Sequence, residues 1–293
     1  MSLITNDELT KLTSTTSGTI NNQVIEFAKK VLFTRIPTYI ANNEELEIIN
    51  NKISNMRVEL LSGESFKETY YKCNGKGFLP SAFTYKGIIY FRNDIEFNSN
   101  DFHDLIHEML HVISYNGEKS GLFQHNKEKN YMYGRGLNEA FTEYLTSLIL
   151  EDSFKSYTQD FKYIIQSFMF LTNLDVKDLF GLYISKNEWL TDEIINTFNP
   201  NDNELVGLIV EYDNMLTPNE KLNPNNVLHF LFNSIKIKIN NNDKLDTEVE
   251  ELLKQYYHYY YNEDRDLEAT TKEGMAEILD ILGTYKHKIS RWY

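Results

Sequence analysis

Two histidines four residues apart enclose a glutamate in His107-Glu108-Met109-Leu110-His111. Residues i and i+4 of a helix share one face, so both imidazoles can reach one divalent cation through neutral ring nitrogens, and Zn²⁺ suits such donors. Glu108 stands next to the first histidine, at the edge of that face. There it can reach a water on the metal without being a ligand, as a general base requires. The competing reading is a polar helix face with two ordinary histidines. A catalytic zinc site takes a third protein ligand and keeps one position open. Downstream, Leu137, Ala140, Phe141, Tyr144, Leu145 and Leu148 form an apolar stripe at spacings of three and four. Glu139 and Glu143 share a different face. That carboxylate pair is either aimed at something specific or a solvated acidic face.

The combination resembles the gluzincin metallopeptidases, the thermolysin-like group of zincins. In that group H-E-x-x-H is followed by a second helix bearing N-E-x-x-x-D or a close variant. Asn138-Glu139-Ala140-Phe141-Thr142-Glu143 matches the spacing, with Glu143 in place of the Asp. The resemblance implies one Zn²⁺ held by His107, His111 and Glu139, with Glu108 as the base. It also makes Glu143 the carboxylate that orients one ligand imidazole, a role that fixes a tautomer. Gluzincins usually supply a Tyr or His to the tetrahedral oxyanion. Tyr133 is the choice here, with His229 as a distant rival. His125, Tyr131 and Arg135 lie in the same stretch, 116–135. An edge strand before the motif helix, binding extended peptide by strand addition, is implied as well. Gly87 to Arg92 holds that place in sequence order, with a buried sheet strand as the alternative. The metzincin pattern fails, because Ser114 and Gly117 stand where Gly and His are needed. The inverted H-x-x-E-H and a G-A-M-E-N-like segment are both absent.

The function implied is a zinc-dependent peptidase that hydrolyses peptide bonds with a metal-activated water and Glu108 as general base. Two other classes compete. One is a non-catalytic binding module that keeps the scaffold; the other is a metal-dependent hydrolase of a non-peptide amide, which the motif does not distinguish. His103 extends the histidine row by one turn and reads as an outer partner or a surface residue, because three helical histidines do not all reach one tetrahedral ion. Tyr256-Tyr257-His258-Tyr259-Tyr260-Tyr261 reads as aromatic packing, with a substrate-facing wall as the alternative. Glu273 and Glu277 read as a surface face.

These residues need elements to hold them. Asn98-Ser99-Asn100-Asp101 offers caps for a helix over 101–114, and the spacing predicts a second helix over 137–151. Helices are also expected over 21–35 and 44–56. The stretch 57–72 leans to strand through Val58, Leu60, Thr69, Tyr70 and Tyr71. A hairpin is expected around Lys86-Gly87, with Ile88 to Arg92 as its second arm. Residues 116–135 read as a loop. Further helices are expected over 160–171, 192–198, 204–216, 226–239, 247–261 and 271–287. The result is α+β and zincin-like: a small mixed or antiparallel sheet, an edge strand before the motif helix, then a mainly helical remainder. The parts are 1–100 as a mixed N-terminal region, 101–151 as zinc-binding helices and 152–293 as a helical C-terminal region.

Composition narrows the partners. Over 293 residues, 43 Asp and Glu against 29 Lys and Arg give a net charge of −14. That excess argues against a surface for nucleic-acid phosphates or anionic lipid; a peptide or protein substrate is the partner that the gluzincin resemblance implies. Cys73 is the single cysteine, so neither an intrachain disulfide nor a four-cysteine zinc site is available. No signal peptide and no membrane-length apolar run is visible. A cytoplasmic location is expected, with leaderless export as the alternative.

Overall fold

The computed structural model describes residues 19–40, 43–77, 79–117, 121–126, 131–151, 159–172, 174–185 and Asp213. Helix α1 (Asn22–Arg35) starts where the Asn21 side chain accepts the Gln23 and Val24 amides, a common N-cap arrangement. It buries Val24, Ile25, Ala28, Val31 and Leu32. A 3₁₀ turn (Ile36–Tyr39) and helix α2 (Asn43–Ser54) follow. Strand β1 (Arg57–Leu61), helix α3 (Gly63–Asn74), strand β2 (Ala82–Tyr85) and strand β3 (Ile88–Arg92) then build a sheet in the order β1-β3-β2. β1 and β3 are parallel, and β2 and β3 antiparallel. Helix α4 (Ser99–Ser114), the short strands β4 (Gln124–Asn126) and β5 (Tyr131–Tyr133), and helices α5 (Arg135–Leu150), α6 (Gln159–Thr172) and α7 (Val176–Ile184) complete the described elements. The fold is mixed α+β, with a small three-stranded mixed sheet and mostly helical content.

The chain divides into two units. The first comprises Met1–Met132, Thr142–Ser153 and Val176–Trp189; the second comprises Tyr133–Phe141, Phe154–Asp175 and Leu190–Tyr293. In the second unit, α6 buries Ile164, Ile165 and Phe168.

In the first unit the sheet lies between two helices. Side chains of a strand alternate between faces. Phe83 and its cross-strand partner Tyr90 face α3, where the Phe83 ring meets Phe66 edge-on at 5.3 Å. The opposite face carries Thr84, whose hydroxyl donates to the Glu108 carbonyl of α4 at 3.1 Å. Helix α4 is held at both ends. Asn98 accepts the Asn100 amide at 2.8 Å while Asp101 accepts the Asn98 amide at 2.9 Å, a reciprocal capping box. At the other end Lys52 donates to the Ile113 and Tyr115 carbonyls, which are among the acceptors a helix terminus leaves open. Phe102, Leu105, Ile106, Met109, Leu110 and Ile113 are buried along its length.

Three expectations change. The stretch 57–72 is strand only to Leu61; Thr69, Tyr70 and Tyr71 are helical in α3. Phe66 and Tyr70, four apart, both lay rings against Phe83, and this packing outweighs the β preference of Thr and Tyr. A parallel β1–β3 pair also needs a crossover, and helices commonly supply one. The stretch 116–135 contains the two-stranded β4–β5 ribbon, whose strands of three residues are too short to show a period. Ile88–Arg92 is the central strand, paired on both sides; the edge beside α4 belongs to β2. Helix α7 is an addition to the expected elements. The helices expected over 192–198, 226–239, 247–261 and 271–287 lie outside the described residues, and of 204–216 only Asp213 is described, in helical conformation.

The β2–β3 turn carries its own test. Lys86 and Gly87 have φ of 49° and 77°, a left-handed pair that suits a two-residue hairpin. A Cβ on Gly87 would stand 3.0 Å from the Tyr115 ring. Gly87→Ala is expected to lower stability by about 1–2 kcal/mol, from the left-handed backbone penalty, measured by urea denaturation. An unchanged midpoint would contradict this account of the turn.

Candidate metal centre

Helix α4 carries three histidines one turn apart, and α5 carries two glutamates one turn apart. The contacts between them fix their alignment. Glu143 Oε1 lies 2.8 Å from His103 Nε2, and Glu143 Oε2 lies 3.1 Å from His107 Nδ1. Glu139 stands four residues earlier on the same continuous helix, about 6 Å along its axis. Ligand atoms of His107, His111 and Glu139 lie within 4.8 Å of one another. His111 is buried, and His107 and Glu139 are half-buried.

The two ring nitrogens that meet are His107 Nε2 and His111 Nε2, 3.1 Å apart, with the ring planes at 74°. Two nitrogens on one tetrahedral Zn²⁺ at about 2.0–2.1 Å stand about 3.3 Å apart, so the observed spacing fits a shared ion. Without an ion the same spacing is a His–His hydrogen bond. The chemistry of the donors fits as well: two imidazoles and one carboxylate are a catalytic zinc set that leaves a fourth position open. The group could hold a metal ion.

The electrostatics follow from Glu143. Its side chain is buried, and burial pushes a carboxyl up. The hydrogen bonds from His103 and His107 outweigh that, holding Glu143 well below the usual carboxylate range. An ionised carboxylate only accepts, so His103 must present Nε2–H and His107 must present Nδ1–H. In neutral His107 this leaves the Nε2 lone pair facing His111 and Glu139. Glu108 is half-buried, one residue beyond His107 and beside β2 through the Thr84 bond.

Tyr133 ends β5 and is buried. His125 lies in β4 and Tyr131 in β5; Arg135 opens α5 and is exposed. His229, the Tyr256–Tyr261 stretch, Glu273 and Glu277 lie outside the described residues. His103, read from the sequence as an outer partner or a surface residue, is buried at 2% exposure against Glu143. Asp213 has no signal in the sequence. Its carboxylate accepts the Gly134 and Gly136 amides at 2.7 and 2.8 Å, so it caps the start of α5, the helix that bears Glu139. Burial pushes its carboxyl up, against the pull of the Gly136, Gly134 and Arg135 amides. No sequence motif marks a cap 77 residues away from the amide it accepts.

No protein-family model, characterised protein or solved structure matches the chain. Among the described residues, no helix is long and apolar enough to cross a membrane.

Proposed function

We propose that the chain is a zinc-dependent peptidase of the gluzincin type, with a zincin-like arrangement of sheet and motif helix. The observation that carries this reading is the meeting of His107, His111 and Glu139 donor atoms within 4.8 Å, with Glu108 adjoining on α4. His107, His111 and Glu139 would hold the ion. Zinc bound there would supply a Lewis acid and bring the pKa of water towards ~7. Glu143 keeps the His107 Nε2 lone pair turned inward. Glu108 takes a proton from the attacking water and passes it to the leaving amine. Tyr133 is the proposed hydrogen-bond donor to the oxyanion.

The sheet supports a peptide substrate. The Arg92 amide donates to the Ser81 carbonyl, so in the antiparallel register 83↔90 and 85↔88 are the hydrogen-bonded pairs. Ala82 and Thr84 therefore turn their backbone N–H and C=O away from β3, along the edge beside Glu108. An extended peptide can add there as a strand. Thr84→Pro removes one outward donor and keeps the β2–β3 ladder, since proline is tolerated where its nitrogen faces outward. It is expected to raise KM about tenfold, the upper range for one hydrogen bond, with zinc content retained. Thr84→Val isolates the loss of the hydroxyl. An unchanged KM in Thr84→Pro would remove this edge from substrate binding.

Cleavage of a peptide library, with and without a chelator and after zinc is restored, tests the proposal. Metal-dependent peptide products support it. Purified protein that holds one zinc yet cleaves nothing favours a binding module, and turnover confined to non-peptide amides favours the other hydrolase.

A further inference from the structure

We infer that His103 is a positioning residue for the metal centre, acting through Glu143 on His107. The inference rests on the zinc reading above. His103 ligates nothing in that scheme. It lies one turn before His107 on α4, is 2% exposed, and puts Nε2 2.8 Å from Glu143 Oε1. The other carboxylate oxygen, Oε2, faces His107 Nδ1 at 3.1 Å. The three side chains form one row: His103 Nε2–H to Oε1, then Oε2 to the Nδ1–H of His107, whose Nε2 looks towards His111 and Glu139.

The row solves a problem posed by Glu143 itself. A glutamate side chain has three rotatable bonds, so its carboxylate can swing and turn, whereas a hydrogen bond depends on direction. A second imidazole on the far oxygen removes that freedom. With both oxygens held, only one rotation of the carboxylate satisfies His103 and His107 together. His103 thereby sets the tautomer and the ring plane of a ligand it does not touch. Partners of this outer kind typically change metal affinity by about 10–100-fold when removed.

The test is zinc affinity, measured by chelator competition on the full chain, with the visible spectrum of the Co²⁺-loaded protein as a second readout. His103→Leu keeps bulk and removes the donor; a loss of about 10–100-fold in zinc affinity and a shifted Co²⁺ spectrum are expected. His103→Gln sets an amide N–H near the place of the ring Nε2–H, and is expected to restore affinity to within a few-fold. In a Glu143→Ala background, His103→Leu is expected to change affinity no further. A purely structural role for His103 would lower thermal stability in Leu and Gln alike, with the Co²⁺ spectrum unmoved. Should His103→Leu not fold, His103→Asn, whose amide falls short of Glu143, gives the same comparison. Wild-type affinity in His103→Leu, or equal losses in the Leu and Gln variants, overturns the inference. His111→Ala runs alongside: if wild type binds zinc and His111→Ala does not, failure at His103 concerns this inference alone. If wild type binds no zinc, the metal reading fails with it.

Discussion

Glu108→Gln is expected to leave one zinc ion bound per chain and to lower kcat for peptide hydrolysis by about 10²–10⁴-fold, the usual share of a general base. The substitution preserves size and removes only the ability to take a proton. Glu108 is not one of the three donors that meet at the centre, so metal content should hold. Its backbone carbonyl stays tied to Thr84, so the helix and the edge strand should keep their alignment. Metal analysis by mass spectrometry together with steady-state kinetics decides the matter. Peptide cleavage near the wild-type rate would remove Glu108 from the mechanism. Loss of zinc in this variant would instead make Glu108 a ligand and upset the assignment of Glu139.

The second large effect concerns the ligands. Glu139→Ala and His111→Ala are each expected to weaken zinc binding by more than about 100-fold, beyond the range for an outer partner. Zinc at 100 times its Kd should stabilise the wild-type chain by about 2.7 kcal/mol, because it binds the folded state alone. Neither variant should gain that increment. Calorimetry of each protein with and without added zinc reads the difference directly. A Glu139→Ala protein that gains as much as wild type would show that its carboxylate does not hold the ion. The contrast between the glutamates on α5 is informative too: Glu143 is committed to His103 and His107, and loss of its side chain would act through His107.

Several features of the fold are legible in the sequence because local chemistry dictates them. Asn98 and Asp101 mark the start of α4, and the apolar spacing from Leu105 to Ile113 sustains it. Gly87 marks the β2–β3 turn, since glycine takes the left-handed backbone that a tight hairpin needs. The proximity of Glu139 to the α4 histidines is less local. Glu143 likewise meets His103 and His107 across 40 and 36 residues, contacts that no helical period announces. Helix α3 stays hidden because Thr69, Tyr70 and Tyr71 favour strands, and only the Phe66 and Tyr70 rings against Phe83 decide otherwise. The position of β3 is hidden for a different reason. Whether a strand is central or at an edge depends on where β1 pairs, and that pairing spans the whole α3 crossover. Asp213 is the extreme case, a cap with no neighbour in sequence.

Anomalous diffraction at the zinc edge, from crystals of the zinc-loaded chain, tests the central claim most directly. The predicted result is one strong peak about 2.0–2.2 Å from an imidazole nitrogen of His107, an imidazole nitrogen of His111 and a carboxylate oxygen of Glu139. A peak elsewhere, or no peak with the two Nε2 atoms still hydrogen-bonded to each other, would contradict it.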